Sequence, residues 1–167
     1  IRTGYDLYSF SKYDKKNKVK QYFYFFLTFI ASRVADVYSV TSKSDMKFLK
    51  KRFKFNQNNI VLIPNWKNIK NEIKKIEDTE NNVVCVGRLE KQKNYKFLIE
   101  SLKNTKFNVN IFGDGSEKME LYRLIEDCNN IHFKGTIENF ELLNEYNNHK
   151  YFISLSTYEG NSKAILE

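Results

Sequence analysis

A chain of 167 residues with 41% hydrophobic and 29% charged residues is typical of one globular domain or of parts of two. One Pro and six Gly argue against a long disordered linker, and two Cys exclude a disulfide framework. The most apolar run, Tyr22–Ala31, is shorter than the about 20 residues that cross a bilayer. The net charge of +8 is uneven, because residues 1–70 carry +11 and residues 71–167 carry −3, so the two parts are expected to meet different partners.

Hydrophobic periodicity predicts two helices and two strands in the first part of the chain. In chain order they are a helix over residues 16–34, a strand over Asp36–Thr41, a helix that ends near Phe53 and a strand over Ile60–Ile63. Ser42 or Ser44 can cap the second helix. The turn signal Pro64-Asn65 ends this part of the chain.

The basic charge of the first part and the aromatic helix over residues 16–34 leave two interpretations open. The helix can lie against an anionic membrane that bears a lipid-linked substrate, or it can pack on two sides inside its own domain. Basic residues interleaved with aromatic ones also suggest a nucleic-acid-binding protein. No RNA- or DNA-binding motif is present, however, and residues 71–167 are net acidic, so we expect no nucleic-acid partner.

Strands and helices alternate regularly from residue 82 onwards. The predicted strands are Val83–Val86, Asn108–Phe112, Ile131–Phe133 and Tyr151–Leu155, and the predicted helices are 94–102, Ser116–Asp127, Glu138–Asn147 and one that opens near Asn161. Such alternation predicts right-handed βαβ units and therefore a doubly wound parallel sheet, a Rossmann-like α/β fold. Ligands of such sheets bind beyond the carboxyl ends of the strands.

The predicted elements suggest two domains, both incomplete. We interpret residues 1–64 as the C-terminal remnant of a first α/β domain, because they supply too few strands for a sheet of their own. The polar, weakly patterned residues 65–80 are interpreted as an interdomain linker. Residues 81–167 are interpreted as a ligand-binding domain that is truncated at its C-terminus, since the chain stops about two turns into a helix. The sequence is therefore expected to be a fragment.

The segment GRLEKQKN, Gly87 to Asn94, lies where the first strand of this sheet ends and a helix begins. Gly87 permits a tight turn, and Arg88 and Lys93 place two cations five residues apart at the expected cleft. A guanidinium and an ammonium group held there can bind a diphosphate and offset the charge of a departing nucleotide. The alternative is a strand-to-helix turn with ordinary surface charges.

The segment that ends at Glu167 lies at the end of the last predicted strand. Glu159 and Gly160 introduce a helix, whose first N–H groups can receive a phosphate or sugar oxygen. Glu167 lies six residues beyond Asn161, or roughly 9 Å at 1.5 Å per residue, similar to the reach from a hexose across a diphosphate to a ribose. One acid at each end suits such a ligand, because carboxylates accept paired hydrogen bonds from vicinal hydroxyl groups. The alternative is a capping glutamate followed by an exposed one.

Together, GRLEKQKN and EGNSKAILE resemble the signatures of glycosyltransferase family 4, retaining enzymes of GT-B fold. Glu159 and Glu167, with seven residues between them, have the spacing of the family's paired glutamates. Three further segments are similar to the family's turns in the same order: IPN at 63–65, FGDG at 112–115 and HFKG at 132–135. The resemblance covers about residues 36–167, and RTGY at the start is weakly similar to a segment of surface-polysaccharide members.

The resemblance implies a site for a nucleoside-diphosphate sugar, expected to be a UDP-sugar, with no cofactor and no obligatory metal; no Asp-x-Asp motif is present. Arg88 and Lys93 would bind the diphosphate and stabilise the leaving group. Glu159 would contact the transferred sugar, and Glu167 the ribose hydroxyl groups. The remaining implied donor-binding residues are Gly113, Gly135, Thr136, Ile137, Gly160, Asn161 and Ser162, of which 135–137 would lie against the base.

The implied function is transfer of a hexose-type sugar, with retention, to a glycan or lipid-linked acceptor in cell-surface polysaccharide or lipopolysaccharide biosynthesis. The implied location is cytoplasmic, at the inner face of the plasma membrane. A non-catalytic nucleotide-sugar-binding module is the alternative. The family's glycine-rich loop and histidine would precede Ile1, so this fragment alone is expected to be inactive. We expect His132 and His149 to be structural, and Cys85 and Cys128 to be buried thiols.

Overall fold

A computed structural model of the chain describes residues 7–13, 18–53, 55, 59–66, 80–159 and 162–166. The described residues divide into two compact units, one within residues 1–67 and 158–166 and the other within residues 68–157. The predictions for RTGY, for most of the linker over 65–80, and for Gly160, Asn161 and Glu167 lie outside the described residues. The predicted domain boundaries stay a prediction.

Helices and strands follow the predicted order. The described elements are α1 (Leu7–Tyr13), α2 (Lys18–Val34), β1 (Tyr38–Val40), α3 (Lys43–Phe53), β2 (Ile60–Leu62), β3 (Asn82–Val86), α4 (Tyr95–Leu102), β4 (Asn108–Phe112), α5 (Lys118–Leu124), β5 (Ile131–Gly135), α6 (Asn139–Asn147), β6 (Tyr151–Phe152) and α7 (Lys163–Leu166). A 3₁₀ turn, Lys91–Lys93, lies between β3 and α4. The sequence did not predict α1 or this turn, and the predicted α5 and β6 are longer than the observed elements.

Contacts with other parts of the chain account for the late start of α5 and the early end of β6. Glu117 precedes α5 because its N–H donates to the carbonyl oxygen of Leu89, 2.9 Å away in another loop, instead of continuing a helical turn. Strand β6 pairs with β3 only at Tyr151 and Phe152. The next N–H, that of Ile153, makes one more bond to β3, and the chain then leaves the sheet.

The first unit packs its helices on a pair of parallel strands, in which Tyr38 lies opposite Ile60. Helix α3 starts where the sequence predicts, because the hydroxyl group of Ser42 accepts a hydrogen bond from the N–H of Asp45 at 3.0 Å. The buried hydrophobic residues of this unit's main cluster are Leu7, Ala31, Tyr38, Val40, Leu49, Phe55 and Ile60. One core therefore joins α1, α2, α3 and both strands.

Helix α2 buries little of its aromatic surface within the described part of the chain. Its only buried residues are Thr28 and Ala31. The large hydrophobic residues that it exposes are Val19, Tyr22, Phe23, Phe26, Leu27, Phe29, Ile30 and Val34. Among the described residues, no helix is long and apolar enough to span a membrane.

The second unit is a four-stranded parallel sheet with the strand order β5-β4-β3-β6. The strand order reverses at β3, whose two neighbours follow it in the chain on opposite sides. This topology confirms the predicted doubly wound α/β fold, and the reversal marks the carboxyl end of β3 as the place where such sheets bind ligands. The sheet's core cluster is formed by Val83, Cys85, Leu89, Tyr95, Leu98, Ile99, Val109, Ile111, Leu121, Cys128 and Ile131.

The described structure confirms His149 as a structural residue and both cysteines as buried thiols. Nδ1 of buried His149 lies 2.6 Å from the carbonyl oxygen of Glu145, which can only accept, so Nδ1 carries the proton. Nε2 then accepts from the side-chain amide of Asn110 at 2.8 Å. Cys85 and Cys128 are free and buried. Burial raises the pKa of Cys85 to about 12, so this thiol stays protonated and unreactive.

Candidate functional site

The loops that follow β3 and β4 are bound to each other at the carboxyl edge of the sheet. The N–H of Gly87 donates to the carbonyl oxygen of Phe112 at 3.0 Å, and the N–H of Leu89 donates to that of Asp114 at 2.9 Å. The N–H of Glu117 returns a bond to the carbonyl oxygen of Leu89 at 2.9 Å. These bonds fix the backbone on both sides of the loop that carries the predicted cations.

Glycine is required where these loops meet. A Cβ atom on Gly113, whose φ is +150°, would lie 1.9 Å from the carbonyl oxygen of Gly87. A Cβ atom on Gly115 would lie 2.5 Å from the carbonyl oxygen of Leu89. The N–H of Gly113 also donates to the carbonyl oxygen of Gly135 at 2.7 Å, which ties the third loop of the edge to the other two. The three loops therefore form one preorganised rim.

A cleft of about 280 Å³ opens along this rim. Its lining residues are Val86, Gly87, Arg88, Phe112, Gly113, Asp114, Thr136, Ile137, Asn139 and Leu142. The apolar side chains of Ile137 and Leu142 form part of the wall, whereas Arg88, Asp114 and Asn139 supply polar groups. An apolar cleft with a few polar groups at a strand-order reversal has the character of a small-molecule site.

The charges of the cleft leave Arg88 able to bind an anion. The Asp114 carboxylate accepts from the ammonium group of Lys118 at 3.0 Å and from the N–H of Gly115 at 2.7 Å. These hydrogen bonds lower the pKa of Asp114, that of Lys118 having the larger effect. The guanidinium group of Arg88, by contrast, is exposed and makes no ion pair or hydrogen bond with the described residues. It can therefore take an incoming phosphate.

The second predicted cation, Lys93, lies at the end of the 3₁₀ turn and is partly buried. It lines a small cavity of about 10 Å³ together with Tyr95, Ser154 and Ser156. The buried Tyr95 donates its hydroxyl hydrogen to the carbonyl oxygen of Gly87 at 3.3 Å. Lys93 therefore lies close to the carboxyl ends of β3 and β6, at the point where the strand order reverses.

The described structure brings four predicted site residues, Arg88, Gly113, Thr136 and Ile137, into one cleft. Gly135 joins them through its carbonyl oxygen, whereas Lys93 faces the neighbouring small cavity. Glu159 and Ser162 are described residues of the first unit, and their roles stay predictions.

Residues that line these cavities without having been predicted as site residues include Tyr95, Asp114, Asn139 and Leu142. Asp114 lies inside the FGDG segment, so this motif could have been used to predict it as a site residue. Asn139 and Leu142 belong to a helix that reaches the cleft only through the fold, and no sequence pattern marks them.

Fold and cleft together define a parallel α/β protein with a cleft at the switch point of its sheet. The model of the family described as glycosyl transferases group 1 matches residues 66–167. The chain belongs to this family.

Two curated proteins of Escherichia coli are similar to the chain. The O-antigen biosynthesis glycosyltransferase WbnH is 30% identical over 144 residues, which are 81% of this chain and 39% of WbnH. The probable O-antigen biosynthesis glycosyltransferase WbiN gives the same values. The chain therefore spans about 39% of the length of the curated relatives it matches.

Solved structures share the fold. A mutant of TarM from S. aureus, in complex with fondaparinux, alpha-GlcNAc-glycerol and UDP, matches with a TM-score of 0.71 and 24% identity over 87% of this chain and 29% of TarM. HepE from Anabaena, in complex with UDP-glucose, matches with a TM-score of 0.70 and 15% identity over 95% of this chain and 47% of HepE. The fold is of the GT-B type. The resemblance seen in the sequence is thus confirmed for the GT-B glycosyltransferases, while family 4 stays a prediction.

Proposed function

We propose that this chain is the donor-binding part of a glycosyltransferase of family 4 that uses a UDP-sugar. The observation that carries the proposal is the exposed Arg88, which has no ion pair among the described residues, on a loop fixed at the carboxyl end of β3. A cation placed on a rigid loop at the switch point of a parallel sheet suits a nucleotide's phosphates. The apolar wall of the neighbouring cleft suits the uracil and ribose.

The diphosphate is proposed to lie between Arg88 and Lys93. Both cations then face the bond that breaks, since the sugar's anomeric carbon leaves the diphosphate oxygen and forms a bond to an acceptor hydroxyl oxygen. The hydroxyl proton is released, and the nucleoside diphosphate departs with the electron pair of the broken bond. Fixed positive charge stabilises this departing group more than the bound donor, and it therefore lowers the barrier. No metal is needed for this electrostatic role.

The base is proposed to lie in the cleft against Thr136 and Ile137, with Gly113 and Gly135 giving close backbone approach. The asparagine of this cleft, Asn139, offers one acceptor and two donor hydrogens. The cleft's carboxylate, Asp114, is already held by Lys118. Uracil presents one N–H donor between two carbonyl acceptors, which an amide can satisfy. Guanine presents two adjacent N–H donors, which require a free carboxylate. The residues that line this cleft therefore favour uracil over guanine.

The acidic segment is proposed to bind the sugar end of the donor. Glu159 contacts the transferred sugar, Gly160, Asn161 and Ser162 present backbone N–H groups, and Glu167 binds the ribose hydroxyl groups. We further propose a hexose-type sugar and retention of configuration, as the family 4 resemblance implies. The acceptor is proposed to be a cell-surface glycan or its lipid-linked precursor, in keeping with the similarity to two O-antigen glycosyltransferases.

The parent protein is proposed to act in the cytoplasm at the inner face of the plasma membrane. The exposed aromatic residues of α2, together with the net charge of +11 over residues 1–70, suit an anionic lipid surface. Replacing Phe23 and Phe26 with Ser should reduce cosedimentation with vesicles containing phosphatidylserine, whereas replacing the exposed Phe97 of α4 should not. Equal binding of all three proteins to the vesicles would argue that α2 packs within its own domain instead.

The donor site is tested by titrating the full-length protein with UDP in a calorimeter. Arg88→Ala should weaken binding about 10- to 100-fold, because charge-assisted hydrogen bonds to a phosphate are lost. The matched control is Lys96→Ala, which removes an exposed cation of α4 that faces Glu120 at 3.9 Å. Equal affinity of Arg88→Ala and the wild type would refute the site. Retained UDP binding without sugar transfer by the wild type would favour a non-catalytic binding module.

A further inference from the structure

The peptide group between Gly87 and Arg88 is held in one orientation at the carboxyl edge of the sheet. The carbonyl oxygen of Gly87 accepts a hydrogen bond from the hydroxyl group of Tyr95 at 3.3 Å. The same oxygen lies so close to Gly113 that a Cβ atom there would come within 1.9 Å of it. On either side of this peptide, the N–H groups of Gly87 and Leu89 donate to the loop after β4 at 3.0 and 2.9 Å. The peptide is therefore fixed from several sides.

The N–H of Arg88 is the one group of this peptide that has no partner among the described residues. In a trans peptide the N–H and the carbonyl oxygen point in opposite directions, so this N–H points away from Tyr95 and Gly113. A ligand can reach it, because Arg88 is exposed and both Gly87 and Arg88 line the cleft. A preorganised backbone N–H of this kind donates a charge-assisted hydrogen bond to an oxyanion.

The side chain of Tyr95 combines a buried ring with a hydroxyl group that reaches this peptide. The ring is only 4% exposed and belongs to the core cluster of the sheet, at the first residue of α4. A phenylalanine ring would fill the same space, so packing alone does not explain the hydroxyl group. A hydrogen bond to the carbonyl oxygen of Gly87 polarises the peptide and strengthens the N–H of Arg88 as a donor.

We propose that Tyr95 is a positioning residue for the donor's diphosphate, because its hydroxyl group orients the Gly87–Arg88 peptide so that the N–H of Arg88 donates to a phosphate oxygen. The inference rests on the proposed function, since it adds a backbone donor to the same diphosphate site. Arg88 then binds the diphosphate twice, through its guanidinium group and through its N–H. Tyr95 acts through the peptide and needs no contact with the ligand.

Calorimetry of the full-length protein with UDP and with uridine tests the role of the hydroxyl group. Tyr95→Phe removes only that group, so it should weaken UDP binding about 3- to 10-fold and leave uridine binding unchanged, since uridine has no phosphate. Tyr122→Phe is the matched control, because Tyr122 is a tyrosine of the same unit whose ring stacks on Phe133 at 4.6 Å, and it should change neither affinity. Equal UDP affinity of Tyr95→Phe and the wild type, or equal losses for UDP and uridine, would overturn the proposal.

The hydroxyl group has a second possible route to the ligand, through Lys93, which lines the small cavity together with Tyr95. A double variant separates the two routes. If the hydroxyl group acts through the peptide, Tyr95→Phe should weaken UDP binding by the same factor in Lys93→Ala as in the wild type. Absence of any further weakening in the double variant would assign the effect to Lys93 and contradict the proposal.

NMR of the full-length protein with isotope-labelled arginine observes the N–H of Arg88 directly. Its signal is identified by its absence from the spectrum of Arg88→Lys. Saturating UDP should move the Arg88 amide proton downfield, uridine should not, and Tyr95→Phe should reduce the shift. This measurement on the wild type is decisive even if Tyr95→Phe unfolds the protein.

The outcomes separate this inference from the proposed function. An Arg88 signal that stays in place, in a wild type that binds UDP, would overturn the inference alone and leave the donor site intact. Failure of the wild type to bind UDP would refute the donor site and the inference with it.

Discussion

Thr157 and Gln92, which are 65 residues apart in the chain, are joined by two hydrogen bonds to one carbonyl oxygen. The N–H of Thr157 donates to the carbonyl oxygen of Gln92 at 2.9 Å, and its hydroxyl group donates to the same oxygen at 3.2 Å. Gln92 is the middle residue of the turn that ends at Lys93. The segment after β6 thereby holds the turn that carries one of the two proposed phosphate-binding cations.

Thr157→Val should make this turn less rigid but should leave the turn in place. The N–H bond is kept and the hydroxyl bond is lost, so we expect a cost of about 0.5–1 kcal/mol in unfolding free energy and a several-fold weaker affinity for UDP. Urea unfolding and calorimetry measure the two effects. Thr157→Ser keeps the hydroxyl group and should restore the affinity. Equal UDP affinity of Thr157→Val and the wild type would show that the bond does not position Lys93.

Gly113→Ala should be more harmful than the same change at Gly135. Both glycines have positive φ, +150° and +75°. Only the Cβ atom at 113 would meet the backbone, however, whereas the one at 135 would meet nothing within 4 Å. We expect about 3 kcal/mol of destabilisation at 113 and about 1 kcal/mol at 135, measured by urea unfolding. Equal losses would show that the rim relaxes to admit a methyl group.

The ion pair of Asp114 with Lys118 should make stability depend on pH in the acidic range. The folded-state pKa of Asp114 is lowered, chiefly by the hydrogen bond from Lys118, so its contribution is complete above the unfolded pKa of about 3.9 and is lost as the pH falls through the folded pKa. Asp114→Asn should therefore be less stable than the wild type at pH 7, and the difference should vanish in acid and shrink at high salt. A difference that is constant with pH would refute the ion pair.

The sequence was sufficient to predict the second unit, because each of its strands is a short apolar run bounded by turn residues and followed by a helix. It was insufficient for α1. That helix has only seven residues, and its start is fixed by a bond between Tyr8 and Asp45, 37 residues further along the chain. Local periodicity carries no information on such a tertiary bond. The length of β6 was wrongly predicted for the same reason. It depends on pairing with β3, which involves only Tyr151 and Phe152.

For the candidate site, the motif residues were predictable and their surroundings were not. Arg88 lies two residues after the end of a strand, so its place at the carboxyl edge was implied by the strand prediction alone. The contact of Gly113 with the carbonyl oxygen of Gly87, in contrast, follows from the register of two parallel strands. Leu142 reaches the cleft from within α6, which begins at Asn139 after the loop that follows β5. These are properties of the assembled sheet, which appear only once the chain is folded.

Asn130 offers a test of stability away from the proposed site, at the amino end of β5. Its side-chain amide nitrogen donates to the carbonyl oxygens of Leu102, Thr105 and Phe107 at 2.9, 3.3 and 2.8 Å. Asn130→Asp keeps the size but turns a carboxylate oxygen towards three acceptors, so it should cost about 2–3 kcal/mol of unfolding free energy. UDP affinity of the folded variant should equal that of the wild type, because the carboxyl edge of the sheet is untouched. Reduced UDP affinity in a fully folded variant would contradict the placement of the nucleotide at that edge.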